Sequence, residues 1–356
     1  MSTTSRNMNW SHKPFLLSPA GKDYLWGGDR LITDFHKTSA LRPLAETWEC
    51  SAHPDGTSIA ASGAHTGLPL DQILREHPAY LGTHPEGILR EITSETGART
   101  GLLPVLIKLI DAQQNLSIQV HPDDAYAAAH ENGSLGKTEL WYVLDAKPGA
   151  QLIYGFNRAL DPETLRAALQ NGTIEKYLQK LPVRKDDVFL IEPGTVHAIG
   201  AGVLIAEIQE SSNITYRLFD YDRLDKSGRK RPLHHAQAFD VLRLSGSDNP
   251  RQPMRTLRYR PGFASELLGR CKYFQVERLL VNTREAQPVD ISTSALSFQV
   301  LLCLEGDGTL RIQTNAQKNR QEDETLSFQK GHCLFLPADS APIALSGKAQ
   351  LLRVSC

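Results

Sequence analysis

Gln119 and His121 stand two positions apart in the run Leu116-Ser117-Ile118-Gln119-Val120-His121, so in an extended strand their side chains point the same way. Glu139 opens the next strongly apolar run, and His197 follows a Pro193-Gly194 turn. Two neutral imidazoles and a carboxylate are a common zinc set, with the amide oxygen of Gln119 as a further donor and a position left for water or substrate. The spacing alone leaves a plainer alternative open, since a His or Glu at a strand end is commonly just solvated or hydrogen-bonded. No Cys-x-x-Cys pair occurs, so a zinc site here has to use His and carboxylate rather than thiolates.

These residues need a rigid frame, and the chain around them predicts a β one. Short runs mixing aliphatic and aromatic residues recur at 116–120, 139–145, 151–155, 187–191, 203–209 and 215–220, then at 274–282, 299–304, 309–313 and 333–336. Gly, Pro, Asn and Asp turns separate them, the pattern of a sandwich or barrel. Helical signals are fewer. Asp161-Pro162-Glu163 supplies an N-cap, a first-turn proline and an acidic first turn ahead of Leu165, Ala168 and Leu169. A second helix is expected near Pro122, with Asp123 and Asp124 in its first turn.

The Gly-, Ser-, Asp- and Pro-rich stretch at 246–260 reads as a linker or crossover, dividing a first unit, 1–245, from a second, 261–356. An internal echo supports the division. At an offset of 144 residues, Phe189-Leu190-Ile191-Glu192-Pro193-Gly194 faces Cys333-Leu334-Phe335-Leu336-Pro337-Ala338, but Ala341 stands where the first copy has His197. A single histidine, His332, lies in the second unit, and at this offset it matches Val188, so the second unit is expected to be free of metal.

Composition narrows the partners. The 356 residues carry 39 basic and 40 acidic side chains, a formal charge of -1 with no broad field for nucleic acid or an anionic membrane. Residues 1–14 are polar and lack the basic-then-apolar order of a secretory signal, and the apolar stretch 102–110 contains Pro104 and Lys108 and is too short to span a bilayer. Cys50, Cys271, Cys303, Cys333 and Cys356 are odd in number and scattered, as free thiols in a reducing compartment would be. A cytoplasmic protein is expected.

Several motifs in order resemble the type I mannose-6-phosphate isomerases, which are zinc-dependent cupins. They are Tyr24-Leu25-Trp26-Gly27-Gly28; the segment from Ala45-Glu46-Thr47-Trp48-Glu49-Cys50 to Ser51-Ala52-His53-Pro54-Asp55-Gly56; Leu116-Ser117-Ile118-Gln119-Val120-His121-Pro122-Asp123-Asp124; and Gly136-Lys137-Thr138-Glu139. Glu192-Pro193-Gly194-Thr195-Val196-His197-Ala198 and Ile214-Thr215-Tyr216-Arg217-Leu218-Phe219-Asp220-Tyr221-Asp222-Arg223 follow. The resemblance runs along nearly the whole chain. It implies a mainly β fold of two cupin (jelly-roll β-barrel) domains with a few helices attached to the first. It places Gln119, His121, Glu139 and His197 on the family's zinc positions, one Zn2+ per chain, and Arg217 on its active-site arginine. The chain has no room for the large helical insertion of fungal and animal members, so it resembles the compact bacterial form.

The implied reaction interconverts mannose 6-phosphate and fructose 6-phosphate. Moving a proton between adjacent carbons through an enediolate calls for a base, a proton donor and a cation beside the developing oxyanion. Glu139 cannot readily be the free base while it holds zinc, which makes Glu207, ten residues before Arg217, the candidate acid/base or a residue supporting it; a strand carboxylate in an ion pair is the plainer reading. The fork of Arg217 suits substrate oxygens. Lys108 and Lys137 are candidate substrate contacts, against the alternative of buried stems with solvated heads. The basic run Lys226 to Arg231 reads as a solvated loop rather than a phosphate clamp, Trp26-Gly27-Gly28 as a pocket rim or a simple turn, and His53, His234 and His235 as non-ligands. The expected partner is a small sugar phosphate, with no nucleic acid or membrane, for a monomer or homodimer. Two other classes remain: a non-catalytic cupin binding sugar or zinc, and a same-fold isomerase for a different sugar.

Overall fold

The computed structural model describes residues 12–96, 103–247, 250, 255–313 and 323–356. Of the stretch read as a linker, 246–260, residues 248–249 and 251–254 lie outside the described residues, as do 1–11.

The first half is built on two facing antiparallel sheets. One runs Val188–Ile191, Glu139–Ala146, Val203–Glu210, Val105–Ala112, Glu46–Cys50, Ala20–Lys22. The other runs Leu178–Pro182, Gln151–Phe156, His197–Ile199, Ile118–Val120, Tyr216–Phe219. Alternation along each strand sends one set of side chains between the sheets and the other set outward. Between them, Trp141, Val143, Val203, Ile205, Ile110, Leu152, Ile199, Phe189 and Trp26 fill one end of the barrel. The outer face of the five-stranded sheet, with Ile118, Val120, Ala198, Tyr216 and Leu218, is covered by the helices Pro162–Gln170 and His235–Val241 through Leu165, Ala168 and Ala238. Asp161 caps the first of these by accepting from the Thr164 N–H, as the local sequence predicts; Asp123, expected in the first turn, is instead the N-cap of Asp124–His130, accepting from the Tyr126 N–H.

The outer face of the six-stranded sheet never reaches water. Ile107, Leu109, Leu140, Tyr142, Ala206 and Ile208 pack against Phe274, Val276, Val300, Leu302, Leu352 and Val354 of the second half. Val105–Ala112 and Val203–Glu210 are covered on both faces and buried along their whole length, so they are largely apolar, with Lys108 and Glu207 the exceptions that face the cavity. The two halves share one core.

The second half supplies eight strands of a ten-stranded sheet curled around Leu279, Val281, Leu301, Cys303, Leu310, Leu334, Leu336, Leu345 and Leu351, the other two being Phe15–Ser18 and Ile59–Ala60. Its two long strands, Gln299–Ile312 and Ile343–Ser355, pair along most of their length. The sequence predicts two strands where Gln299–Ile312 is one; a register shift between Cys303 and Glu305 explains the difference. That bulge switches which alternate positions face inward, so Leu301 and Cys303 share the interior with Leu310. The sheet also takes a strand from the far end of the chain: Phe15–Ser18 pairs with Cys333–Leu336, and the Phe15 ring stacks on Phe335 at 5.4 Å. Helices Leu70–Glu76 and Thr83–Thr96, which no sequence signal singled out, pack on the same side through Leu70, Ile73 and Leu74 and through Ile88 and Ile92. No helix among the described residues is long and apolar enough to cross a membrane.

Candidate active site

Cross-strand register assembles the site in two facing rows. On the five-stranded sheet His197 lies opposite Gln119, and Gln119 lies opposite Arg217. On the six-stranded sheet Trp141 lies opposite Glu207, Glu207 opposite Lys108, and Lys108 opposite Trp48. Glu139 begins its strand opposite Gln209. Turns hold the remaining pieces. The Gly194 N–H donates to the His121 carbonyl at 2.9 Å, tying the Pro193-Gly194 turn to the strand that carries His121. Gly194 adopts φ +84, a conformation that costs glycine little. The loop before Glu139 is fixed to the next helix, with the Gly136 N–H donating to Asp124 Oδ1 at 2.9 Å and the Lys137 N–H to the Pro122 carbonyl at 3.0 Å.

His121, Glu139 and His197 converge, all fully buried. His121 Nε2 is 3.1 Å from His197 Nε2 and 3.2 Å from Glu139 Oε1; His197 Nε2 is 3.7 Å from Glu139 Oε2. The other ring nitrogens are committed. His121 Nδ1 is 2.8 Å from the Ile214 carbonyl and His197 Nδ1 is 2.8 Å from the Thr195 carbonyl, so each Nδ1 carries the proton and each Nε2 presents a lone pair. Burial, reinforced by the Lys137 ammonium, lowers the His121 pKa to about 3, and burial lowers that of His197. Lys137 Nζ is 3.3 Å from His121 Nε2, but the two Nε2 lone pairs, 3.1 Å apart, cannot hydrogen-bond to each other; a cation between them resolves the conflict. Burial would raise Glu139, but the Lys137 ammonium, 2.6 Å from Oε1, holds it well below the usual carboxylate range. Even so, neither Glu139 oxygen accepts a hydrogen bond of good geometry. Nitrogen, nitrogen and carboxylate donors with fixed tautomers and unsatisfied oxygens fit a divalent metal such as zinc. Gln119 reaches the cluster with its amide nitrogen, 3.4 Å from His197 Nε2, while its oxygen lies toward Ser117 Oγ. Ligation through oxygen requires a half-turn of that amide, whose two ends differ little in shape.

A cavity of about 240 Å³ opens beside this cluster, lined by Lys137, Gln119, Lys108, Glu207, Arg217 and Arg231 among others. Lys108 Nζ sits 3.0 Å from Glu207 Oε1 and 3.9 Å from Glu46 Oε2, and Trp141 Nε1 donates to Glu207 Oε2 at 2.9 Å. Burial and the nearby charge of Glu139 raise the Glu207 pKa, whereas for Lys108 the Glu207 and Glu46 charges outweigh burial and raise it. Arg217 extends Nε to Ser117 Oγ at 3.3 Å and Nη1 to the Pro232 carbonyl at 2.8 Å.

Every residue singled out from the sequence thus lies in one place, either in the buried cluster or on the cavity wall. Neither Lys108 nor Lys137 sends its head to solvent; both are less than 5% exposed. Trp26 lines the cavity, and His53, His234 and His235 lie outside the cluster. One loop departs from expectation. Lys226, Arg229 and Lys230 are exposed, but Arg231 turns inward to the cavity wall, gripped by Asp220. Glu46, Tyr24, Ser117 and Asp220 went unassigned as site residues, and only their places in the matching motifs could have drawn attention to them.

A family model for the catalytic domain of type I phosphomannose isomerase matches residues 15–140, and one for the cupin domain of mannose-6-phosphate isomerase matches residues 265–356. The mannose-6-phosphate isomerase of Streptococcus mutans is 41% identical over 237 residues, covering 67% of this chain and 70% of that protein. Mannose-6-phosphate isomerase ManA of Bacillus subtilis is 33% identical over 347 residues, covering 96% and 98%. The crystal structure of the mannose 6-phosphate isomerase from Bacillus subtilis matches with a TM-score of 0.81 at 32% identity, over 96% of this chain and 99% of that one. These matches bear out the mainly β cupin fold. The chain belongs to the type I phosphomannose isomerase family.

Proposed function

We propose that this protein interconverts mannose 6-phosphate and fructose 6-phosphate, using one zinc ion per chain held by His121, Glu139 and His197, with Gln119 joining once its amide is turned. The observation that carries this reading is the pair of imidazoles whose Nδ1 atoms are committed to carbonyls and whose Nε2 atoms converge on a carboxylate that accepts no hydrogen bond of good geometry, beside a cavity lined by lysine, arginine and glutamate. The names of relatives covering nearly the whole chain support the same reaction.

When bound, zinc supplies a Lewis acid for the substrate's C1 and C2 oxygens without changing protonation state. The chain's residues do the rest. Glu207 takes the proton from C2 of the aldose and returns it to C1; its raised pKa brings it closer to the working pH, as a proton shuttle needs. Lys108, paired with it at 3.0 Å, stabilises the carboxylate form between turnovers. Lys137 and Arg217 donate to the substrate oxygens, and Arg217 keeps a planar fork aimed at the negative charge of the enediolate. Trp26, Ile110, Leu116 and Ile199 keep bulk water from that end of the barrel.

A purely binding cupin could dispense with Arg217, Glu207 and Lys108, yet all three line one cavity. The apolar interior of the second barrel supports one metal per chain. The division into 1–245 and 261–356, the cytoplasmic location, the absence of nucleic-acid and membrane partners, and a monomer or homodimer belong to the same proposal; the five free cysteines support a reducing compartment. Elemental analysis combined with a coupled assay tests it. About one zinc per chain and turnover of mannose 6-phosphate but not of mannose is the expected result; a metal-free protein with normal turnover removes zinc, and inactivity on mannose 6-phosphate removes the reaction.

A further inference from the structure

We propose that Arg231, braced by Asp220, receives the substrate's phosphate and so sets the preference for a phosphorylated sugar. This rests on reading the cavity as a sugar-phosphate isomerase site and adds a residue to it.

Arg231 differs from its neighbours in the basic loop. Lys226 and Lys230 have side chains about two-thirds exposed and pair with Asp23 and Asp222 at the surface, whereas the Arg231 side chain is 19% exposed and forms part of the cavity wall. Its Nε donates to Asp220 Oδ2 at 2.8 Å and its Nη2 to Asp220 Oδ1 at 2.5 Å, a two-point grip that fixes the plane of the guanidinium. Among the described residues nothing engages its Nη1. Arg223 binds the same carboxylate but is used up, with Nε on the Asp220 carbonyl, Nη1 on the Asn115 carbonyl and Nη2 on Asp220 Oδ1. Asp220 thus orients two arginines, and one of them still has a donor to offer the cavity.

Position and charge agree with a phosphate there. The metal cluster and Arg217 follow one another across the five-stranded sheet to its edge strand, and Arg217 Nη1 donates to the carbonyl of Pro232, the residue after Arg231, so Arg231 adjoins Arg217 on the cavity wall. The reacting C1 and C2 have to lie at the metal end. The phosphate is separated from C2 by C3 to C6 and the ester oxygen, so its anchor belongs at the opposite end. At this end Arg217 and Arg231 on the cavity wall, with Arg223 beside them, share the single carboxylate of Asp220, a local excess of positive charge that an anionic substrate neutralises. Planar guanidinium groups suit the oxygens of a phosphate.

The test compares Arg231→Gln, Arg231→Lys and Asp220→Asn with wild type, all metal-loaded, in the mannose 6-phosphate assay with inorganic phosphate as a competitive inhibitor. Arg231→Gln should raise KM roughly 10- to 100-fold, as loss of a charged hydrogen-bond donor does, while kcat stays within a few-fold because the contact is the same in ground and transition states. The inhibition constant for phosphate should rise in step. Arg231→Lys should recover part of both changes, and Asp220→Asn should shift both in the same direction by less, through Arg231. An unchanged phosphate inhibition constant in Arg231→Gln overturns the proposal, as does a fall in kcat at constant KM, which would mean that Arg231 acts at the reacting carbons or merely tethers the loop. If Arg231→Gln does not fold, Arg231→Lys with KM and phosphate inhibition both unchanged is the overturning result. Wild type that fails to turn over mannose 6-phosphate defeats the sugar-phosphate reading itself, whereas active wild type with an indifferent Arg231→Gln defeats only the anchor.

Discussion

Replacing His121 with alanine should remove the bound metal and make the protein's thermal stability indifferent to chelator. The imidazole is 1% exposed, its Nδ1 is committed to the Ile214 carbonyl, and its Nε2 is one of three His and carboxylate donors that converge there among the described residues, with the weaker amide oxygen of Gln119 the remaining donor at hand. A metal present at about 1,000 times its dissociation constant stabilises the folded state by about 4 kcal/mol. For 356 residues the unfolding entropy is on the order of 0.75 kcal/mol per kelvin, so that stabilisation corresponds to about 5 °C in Tm. Using one Tm is justified here because Leu140 and Tyr142 of the first barrel share a core with Leu352 and Val354 of the second, so the halves should melt together. The variant also strands the Ile214 carbonyl and leaves a void, which costs about 1–3 kcal/mol more whatever the metal does. The diagnostic is therefore the response to chelator and not the absolute Tm. In calorimetry with and without EDTA, wild type should fall by about 5 °C and His121→Ala should not move, and elemental analysis should find about one metal per wild-type chain and none in the variant. Full metal content in His121→Ala, or a metal-loaded wild type whose Tm ignores EDTA, would refute the three-donor site.

Three further outcomes follow from the geometry. Arg217→Lys should keep its fold and metal yet lose roughly 10- to 100-fold in kcat/KM, because a point ammonium cannot span the contacts of the fork; near-normal turnover would make Arg217 structural. Glu207 works as a carboxylate, and burial together with the charge of Glu139 raises its pKa, so kcat should fall as pH drops through a value above the ordinary 4.5 of a glutamate. Glu207→Gln should abolish both turnover and that acid limb, and a surviving limb in the residual rate would assign the proton transfer elsewhere. Phe15→Ala should cost about 3–5 kcal/mol, since the ring is 2% exposed and stacked on Phe335, yet leave metal content and kcat intact; a loss below 1 kcal/mol would show that the first strand is not integral to the second sheet.

The legible part of this molecule was local. Two-residue spacing placed Gln119 and His121 on one face, the Asp161 cap appears where its short polar signal stands, and the 144-residue echo marks two real strands, Val188–Ile191 and Cys333–Leu336. The interior of Gln299–Ile312 was misread as a break because Gly306 and Gly308 look like turn residues, whereas in the structure they let two strands approach at a bulge. The basic loop was misread at its last residue because charge density shows that a segment is polar but not which way each side chain turns. Arg231 faces inward only because Asp220, eleven residues earlier, is buried in reach of it.

The sequence by itself determined which residue types were available and how they repeat: β periodicity, capping residues, and an ordered series of motifs specific enough to name a family. It could not determine what the outer face of the six-stranded sheet packs against, because an unbroken apolar run is equally consistent with several ways of burying both faces. Tertiary structure decided that the face meets the second barrel, and that Phe15–Ser18 crosses to pair with Cys333–Leu336, a pairing between residues more than 300 positions apart. It also decided the chemistry of the site. His121, Glu139 and His197 fit a metal site only when register brings their ligand atoms within 4.8 Å of one another, when backbone carbonyls take up both Nδ1 protons, and when burial keeps the imidazoles neutral. Each of those is a property of distance and dielectric, set by groups remote in the chain, and no local pattern of residues encodes it.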